Sequence, residues 1–214
     1  MGINLFGLEI VDGKEKRKKS AKVAEIISSV FDPLILAIVG LFLVLQKSDG
    51  ISSSVEFFSW FLAVMVVGIL PPLGFLIYRL QTGKIQDWFI TNRAERKAIL
   101  LVVLISSLLL VVLITLLQGP RLLLAFSLIL FFINLLISLL TLYWKISVHT
   151  NAITTFILIL VLLYGVEYWL SLFLIPLVGW ARWELGKHTL SQVVGGSFIS
   201  VMVFLTVFKI FNYI

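Results

Sequence analysis

Long apolar runs separated by short polar segments dominate the chain. Several runs approach the ~20 residues that a helix needs to cross the hydrocarbon core of a bilayer, and they contain almost no charged side chains. Pro71 and Pro72 lie inside the second run and should kink or break its helix. The pattern predicts helices over residues 30–45, 56–80, 98–118, 122–144 and 190–211.

The apolar stretch from Asn151 to Trp180 needs a separate interpretation. As one helix its 30 residues would extend ~45 Å, whereas the hydrocarbon core is ~30 Å thick. Gly165 and Glu167 near its middle indicate a bend between two short helices, over residues 150–164 and 168–180. Glu167 then lies either in a turn at the far interface or on a polar path inside the bilayer. The chain has seven spans with this division and six if the stretch crosses once.

Composition supports a membrane protein. Of the 214 residues 60% are hydrophobic and 13% are charged, and the mean hydropathy is +1.12. No soluble domain of this length has enough interior for so much apolar surface. We therefore predict an all-α, polytopic transmembrane helical bundle with six to seven spans. The chain has no cysteine, so disulfides and thiolate metal sites are excluded.

Positive charge is concentrated before the first apolar run. The net charge is +6, which we assign to membrane topology and lipid contact, with no nucleic acid partner expected. We predict a basic tail and interfacial helix over residues 1–29 and a transmembrane domain over 30–214. With seven spans the N-terminus, the 82–97 loop and both histidines share one face, which the positive-inside rule makes cytoplasmic. The basic residues of the tail are Lys14, Lys16, Arg17, Lys18, Lys19 and Lys22.

The two histidines lie in polar islands at the ends of apolar runs. His149 follows Lys145-Ile-Ser147-Val, and His188 ends the string Ala-Arg182-Trp-Glu-Leu-Gly-Lys-His. Arginine, serine and two histidines at a membrane boundary are typical of a pocket for a phosphate group.

These islands resemble motifs of the type 2 phosphatidic acid phosphatase family of membrane lipid phosphatases. The segment from Ala181 to Gln192 is similar to its third motif, Ser-Arg-x5-His-x3-Asp, and Ser147-Val-His149 resembles its second, Pro-Ser-Gly-His. The loop from Lys84 to Lys97 takes the place of the first, Lys-x6-Arg-Pro. The motifs extend over about half of the chain, in the family's order.

The resemblance implies hydrolysis of a lipid phosphate or prenyl diphosphate through a phosphohistidine, without metal or cofactor. His188 would be the nucleophile, and His149 the general acid. Membrane lipids and the substrate would be the partners. The expected phosphate-binding residues are Arg182, Ser147 and Arg96, with Arg93, Lys97 or Lys84 as a further charge.

The sequence departs from the family's third motif at two positions. Gln192 replaces an aspartate that would orient the nucleophile; its amide can accept the same hydrogen bond but brings no charge. Glu184 precedes His188 by four residues and would share its face in a helix, so it is an alternative orienting group. Ala181 replaces the motif serine.

Two other functions remain open at this point. A catalytically silent relative could bind lipid phosphate or serve as a scaffold, which the uncharged Gln192 would favour. A small transporter or channel subunit would place Glu167 on a polar path.

Overall fold

A computed structural model of the chain describes residues 5–85, 88 and 93–214, with the backbone alone for residues 5–17, 93 and 94. This part of the chain is helical and contains no β-strand. Its α-helices are α1 (Leu5–Val30), α2 (Pro33–Gln46), α3 (Ser54–Val64), α4 (Leu70–Gln81), α5 (Arg93–Leu116), α6 (Arg121–Thr141), α7 (Val148–Ile159), α8 (Leu174–Glu184) and α9 (Leu190–Ile210).

Five helical segments of the described chain are long and apolar enough to cross a membrane. The segment Val148–Tyr164 is apolar but shorter. The prediction of an all-α membrane protein with several apolar helices is confirmed. The predicted boundary at residue 30, between a basic tail and a transmembrane domain, stays a prediction. The five segments are Lys18–Gln46, Ser54–Gln81, Glu95–Leu116, Arg121–Thr141 and Leu190–Ile210.

Helix starts follow local capping chemistry. Asp32 Oδ1 accepts a hydrogen bond from Leu34 N at 2.8 Å, and Pro33 takes the first position of α2, where its missing N–H costs nothing. At α9, Thr189 Oγ1 accepts from Gln192 N, and Gln192 Oε1 accepts from Thr189 N. This reciprocal capping box fixes the first turn of α9.

The Pro71-Pro72 pair deforms its helix without breaking it. Residues Ser54–Gln81 continue as one helical segment, and a π-helical turn over Met65–Ile69 precedes the prolines. A proline removes one backbone donor and crowds the carbonyl four residues earlier, and a wider turn relieves both problems. Of the two predicted outcomes, a kinked helix or a broken one, the prediction of a break is wrong.

The stretch after α7 bends where the sequence predicted. A π-helical turn over Leu160–Tyr164 ends at Gly165, whose φ of 127° suits glycine alone. A 3-10 helix over Val166–Phe173 then leads into α8. Glu167 lies exposed in the first turn of that 3-10 helix, two residues after the bend at Gly165.

Close packing of α7 against α9 brings the two histidine segments together. A Cβ added at Gly196 of α9 would lie 2.5 Å from the Ser147 carbonyl oxygen and 2.6 Å from Thr150 Oγ1. Only glycine permits this approach. Thr150 Oγ1 also donates to Val193 O at 3.0 Å, which ties the two helices near their first turns.

Candidate functional site

The candidate site lies at one end of the bundle, where α6 and α8 end and α5, α7 and α9 begin. Arg96, Lys145 and Arg182 all lie near enough to His188 to act on its charge. At the other end of the bundle, where α6 begins and α9 ends, Arg121 Nη2 donates to Phe211 O at 2.9 Å. Arg96, from the predicted first loop, therefore lies near both histidine islands.

His188 lies in the turn between α8 and α9. Gly186, with a φ of 63°, ends the helical path in the left-handed conformation. The backbone N–H groups of Lys187 and His188 then donate to Arg182 O at 3.1 and 3.3 Å. This tight turn directs the imidazole back into the bundle, where the residue is 5% exposed.

Gln192 fixes the tautomer of His188. Its Oε1 accepts from Thr189 N at 3.2 Å, which orients the amide, and the same Oε1 lies 3.2 Å from His188 Nδ1. Because an amide oxygen can only accept, Nδ1 carries the proton and donates to it. In the neutral ring the lone pair is therefore on Nε2. That atom is buried and has no hydrogen-bond partner among the described residues.

The surroundings of His188 keep its imidazole neutral. Burial lowers its pKa most, and the charges of Arg96, Lys145 and Arg182 lower it further. A neutral imidazole whose Nε2 bears the lone pair can act as a nucleophile.

Arg182 is held inside the protein by a helix distant in sequence. It is 1% exposed, on the last turn of α8, and its Nη1 donates to Ser28 Oγ of α1 at 3.3 Å. A buried guanidinium is costly unless its donors are used, and it is well suited to bind phosphate oxygens. Ser28 is a contributor to the site that the sequence analysis did not identify.

Arg96 approaches the same point from α5. It is 6% exposed, and its Nη1 donates to Ile146 O at 3.3 Å, next to Ser147. The choice of Arg96 as the arginine of the first loop agrees with this position.

Lys145 is the basic residue that the sequence analysis left out. It precedes α7 and donates through Nζ to Lys187 O at 3.0 Å, so it links the two histidine segments. Its place four residues before His149, within the same polar island, was the available signal.

Ser147 and His149 open α7. Ser147 is fully buried; its Oγ accepts from Thr150 N at 3.4 Å, and its backbone N donates to Gln192 O at 3.2 Å. His149 is 5% exposed, its imidazole donates a hydrogen bond to the Ser28 backbone carbonyl, and it lies within electrostatic reach of His188. The segment of His149 is thus fixed against the segment of His188.

Three predicted residues do not join this cluster. Lys97 is exposed, since the residue after an inward-facing Arg96 points about 100° away around the helix. Lys84 is exposed, with its Nζ 5.5 Å from the Tyr78 ring centre. Glu184 ends α8, and its carboxylate makes no hydrogen bond within the described chain. The turn at Gly186 removes the helical register that would have aligned this carboxylate with His188. The side chain of Arg93 lies outside the described residues.

A cavity of about 370 Å³ adjoins the site. It lies between α2, α4, α5, α6 and α7, and Arg96 and His149 form part of its wall. Most of its other wall residues are apolar, among them Leu36, Leu73 and Phe156. An apolar cavity that reaches a cluster of cations suits an amphiphilic anion.

The site offers a ligand positive charge, buried N–H and O–H donors and two imidazoles. Within the described residues, no group of three or more His, Cys, Asp and Glu side chains is placed to hold a metal ion. Comparison of the chain with protein-family models, with curated proteins and with solved structures found no match in any of the three.

Proposed function

We propose that the chain is an integral-membrane phosphatase that removes phosphate from a lipid phosphate or prenyl diphosphate through a phosphohistidine at His188. The observation that carries the proposal is the buried Nε2 of His188, whose lone pair is set by Gln192 and which lies among three cations. Such an atom is suited to attack an electrophile that arrives as an anion.

In the first step, His188 Nε2 forms a bond to phosphorus as the bond from phosphorus to the leaving oxygen breaks. His149, which takes up a proton when the anionic phosphate binds beside it, gives that proton to the leaving oxygen, so the lipid leaves as an alcohol or as a phosphate. Phosphoryl transfer places charge on the non-bridging oxygens, and Arg96, Lys145 and Arg182 would stabilise it. The Ser147 hydroxyl would donate a further hydrogen bond.

In the second step, water attacks phosphorus and His149, now neutral, takes the proton from that water. The phosphorus–nitrogen bond breaks, its electron pair returns to His188 Nε2, and inorganic phosphate leaves. One histidine acts as nucleophile and the other as acid and then base, which requires two imidazoles in different environments.

The proposal includes a topology and a substrate position. We propose seven crossings, two of them formed by the shorter helices before and after Gly165, with the site and N-terminus on the cytoplasmic face. The substrate's phosphate would lie beside Arg96 and His149, with its apolar chain in the adjoining cavity. Membrane lipids would surround the remaining apolar surface.

Phosphate release by the detergent-purified protein tests this function. The substrates are phosphatidic acid, phosphatidylglycerophosphate and prenyl diphosphates, each with EDTA present. We expect turnover that resists EDTA, is abolished in His188→Ala and falls strongly in His149→Ala. Glu184→Gln is the matched control. It should keep wild-type turnover, because the Glu184 carboxylate makes no hydrogen bond within the described chain. Full activity in a well-folded His188→Ala protein would refute the proposal.

A silent lipid-phosphate-binding protein or scaffold is the second candidate, favoured by one observation. Gln192 orients His188 but brings no negative charge to stabilise a positively charged phosphohistidine. This candidate predicts no phosphate release from any of the substrates. It also predicts thermal stabilisation by phosphatidic acid that Arg182→Ala reduces.

A further inference from the structure

Asn134 is a polar residue on the wall of the apolar cavity. It lies on α6 and is half-buried. Its carboxamide makes no hydrogen bond to any described residue. Two other polar residues of the same wall have side-chain hydrogen bonds. Asn151 Nδ2 donates to Gly196 O at 3.4 Å, and Thr155 Oγ1 donates to Ser200 Oγ at 3.2 Å.

The Asn134 amide lies on the wall that a ligand in the cavity would contact. A polar group that leaves water without gaining a hydrogen bond destabilises a protein, and polar residues within membrane helices commonly mark functional sites. An apolar residue at position 134 would pack against the other wall residues without that cost.

The depth of Asn134 fits a particular part of a substrate. It lies seven residues before Thr141, where α6 ends beside the site; at 1.5 Å per residue this is about 10 Å along the helix. With a phosphate among Arg96, His149 and His188, the part of the molecule that reaches this depth is the beginning of its apolar portion. In an acyl glycerolipid that region holds ester carbonyls, whereas a prenyl chain offers no hydrogen-bonding group there.

We propose that Asn134 is a specificity-determining residue, whose amide N–H donates to an ester carbonyl of the substrate. This inference rests on the proposed function and narrows its substrate class to acyl-ester lipid phosphates, in preference to prenyl diphosphates. The residue touches the substrate remote from the reacting phosphorus, so it selects substrates and takes no part in bond breaking.

Diacyl and dialkyl-ether phosphatidic acids of equal chain length test the proposal, because they differ only in the carbonyls. In mixed micelles, we expect wild-type kcat/KM to be about five- to tenfold higher for the diacyl lipid, the value of one hydrogen bond. In Asn134→Leu the ratio should fall to about one, through loss of diacyl turnover alone. Leu130→Val, a change in an apolar residue of the same cavity wall, should keep the wild-type ratio.

Two results would overturn the proposal while leaving the phosphatase intact. These are equal wild-type turnover of the two lipids, or an unchanged preference in Asn134→Leu. Absence of turnover with every lipid would instead refute the proposed function, and this inference with it. Thermal unfolding is a second readout: Asn134→Leu should be at least as stable as wild type, because it removes an amide without a partner in the described chain.

Discussion

Replacing Gln192 by glutamate tests how the residue at position 192 orients and stabilises His188. Glutamate has the reach of glutamine and can cap α9 in the same way, so the change adds a negative charge with little change of shape. The charge would lie 3.2 Å from His188 Nδ1. Opposite charges at this range commonly change a pKa by about 1 to 3, or about 1.4 to 4 kcal/mol of interaction.

This charge should have two effects on His188. It should stabilise the positively charged ring that forms as phosphorus is attacked, and about 1.4 kcal/mol of such stabilisation makes the step about tenfold faster. It should also raise the pKa of the free imidazole. Because the neutral ring is the proposed nucleophile, the acidic limb of the pH profile of kcat/KM should move to higher pH.

Rapid-quench trapping of the phosphorylated protein measures the rate of the first step. The dependence of kcat/KM on pH measures the change in the pKa of His188. Gln192→Leu is the matched opposite change, since it removes the acceptor of two hydrogen bonds at the start of α9. It should slow phosphorylation and lower thermal stability by about 1 to 2 kcal/mol. The reasoning fails if Gln192→Glu leaves the acidic limb in place and Gln192→Leu is folded and as active as wild type.

Three further predictions concern the supports of the site. Gly196→Ala should lower both the melting temperature and turnover, because its Cβ would meet the Ser147 carbonyl at 2.5 Å, whereas Gly74→Ala, with no atom within 4 Å, should not lower either. Lys145→Met should raise KM for the phosphate substrate while the fold is kept; an unchanged KM would remove Lys145 from the ligand site. Burial and nearby cations lower the pKa of folded His188 below the value of about 6.5 for an unfolded chain, so its contribution to stability is full above about pH 6.5 and declines as the pH falls below that value. Thermal unfolding across this range should show a smaller pH slope in His188→Gln, and an equal slope would contradict the assignment.

Local patterns predicted most of the helices. Apolar runs placed them, and a glycine beside an acidic residue located the bend at Gly165. The resemblance of two short motifs placed His149 and His188 near each other, because residues that serve one phosphate must converge. Such signals depend on neighbours in the chain and can be recognised without coordinates.

The remaining features depend on tertiary contacts. Ser28 meets Arg182 across 154 positions, and no local pattern indicates that pair. Glu184 looked suited to orient His188 only while the helix was extended through Gly186, whose left-handed turn ends that register. Lys84 and Lys97 carry the right charge, but the direction of each side chain is set by the packing of its helix or turn. Asn134 attracts notice only once the cavity wall is known.

The cluster of Arg96, Lys145 and Arg182 has an energetic consequence for the whole molecule. The fold brings three like charges close to one imidazole, and like charges at short range repel one another. An anion bound among them would offset that repulsion, so the proposed function links ligand affinity to conformational stability. A substitution that relieves the repulsion should therefore give a more stable protein that binds an anion less tightly, so selection for stability alone would work against the proposed function.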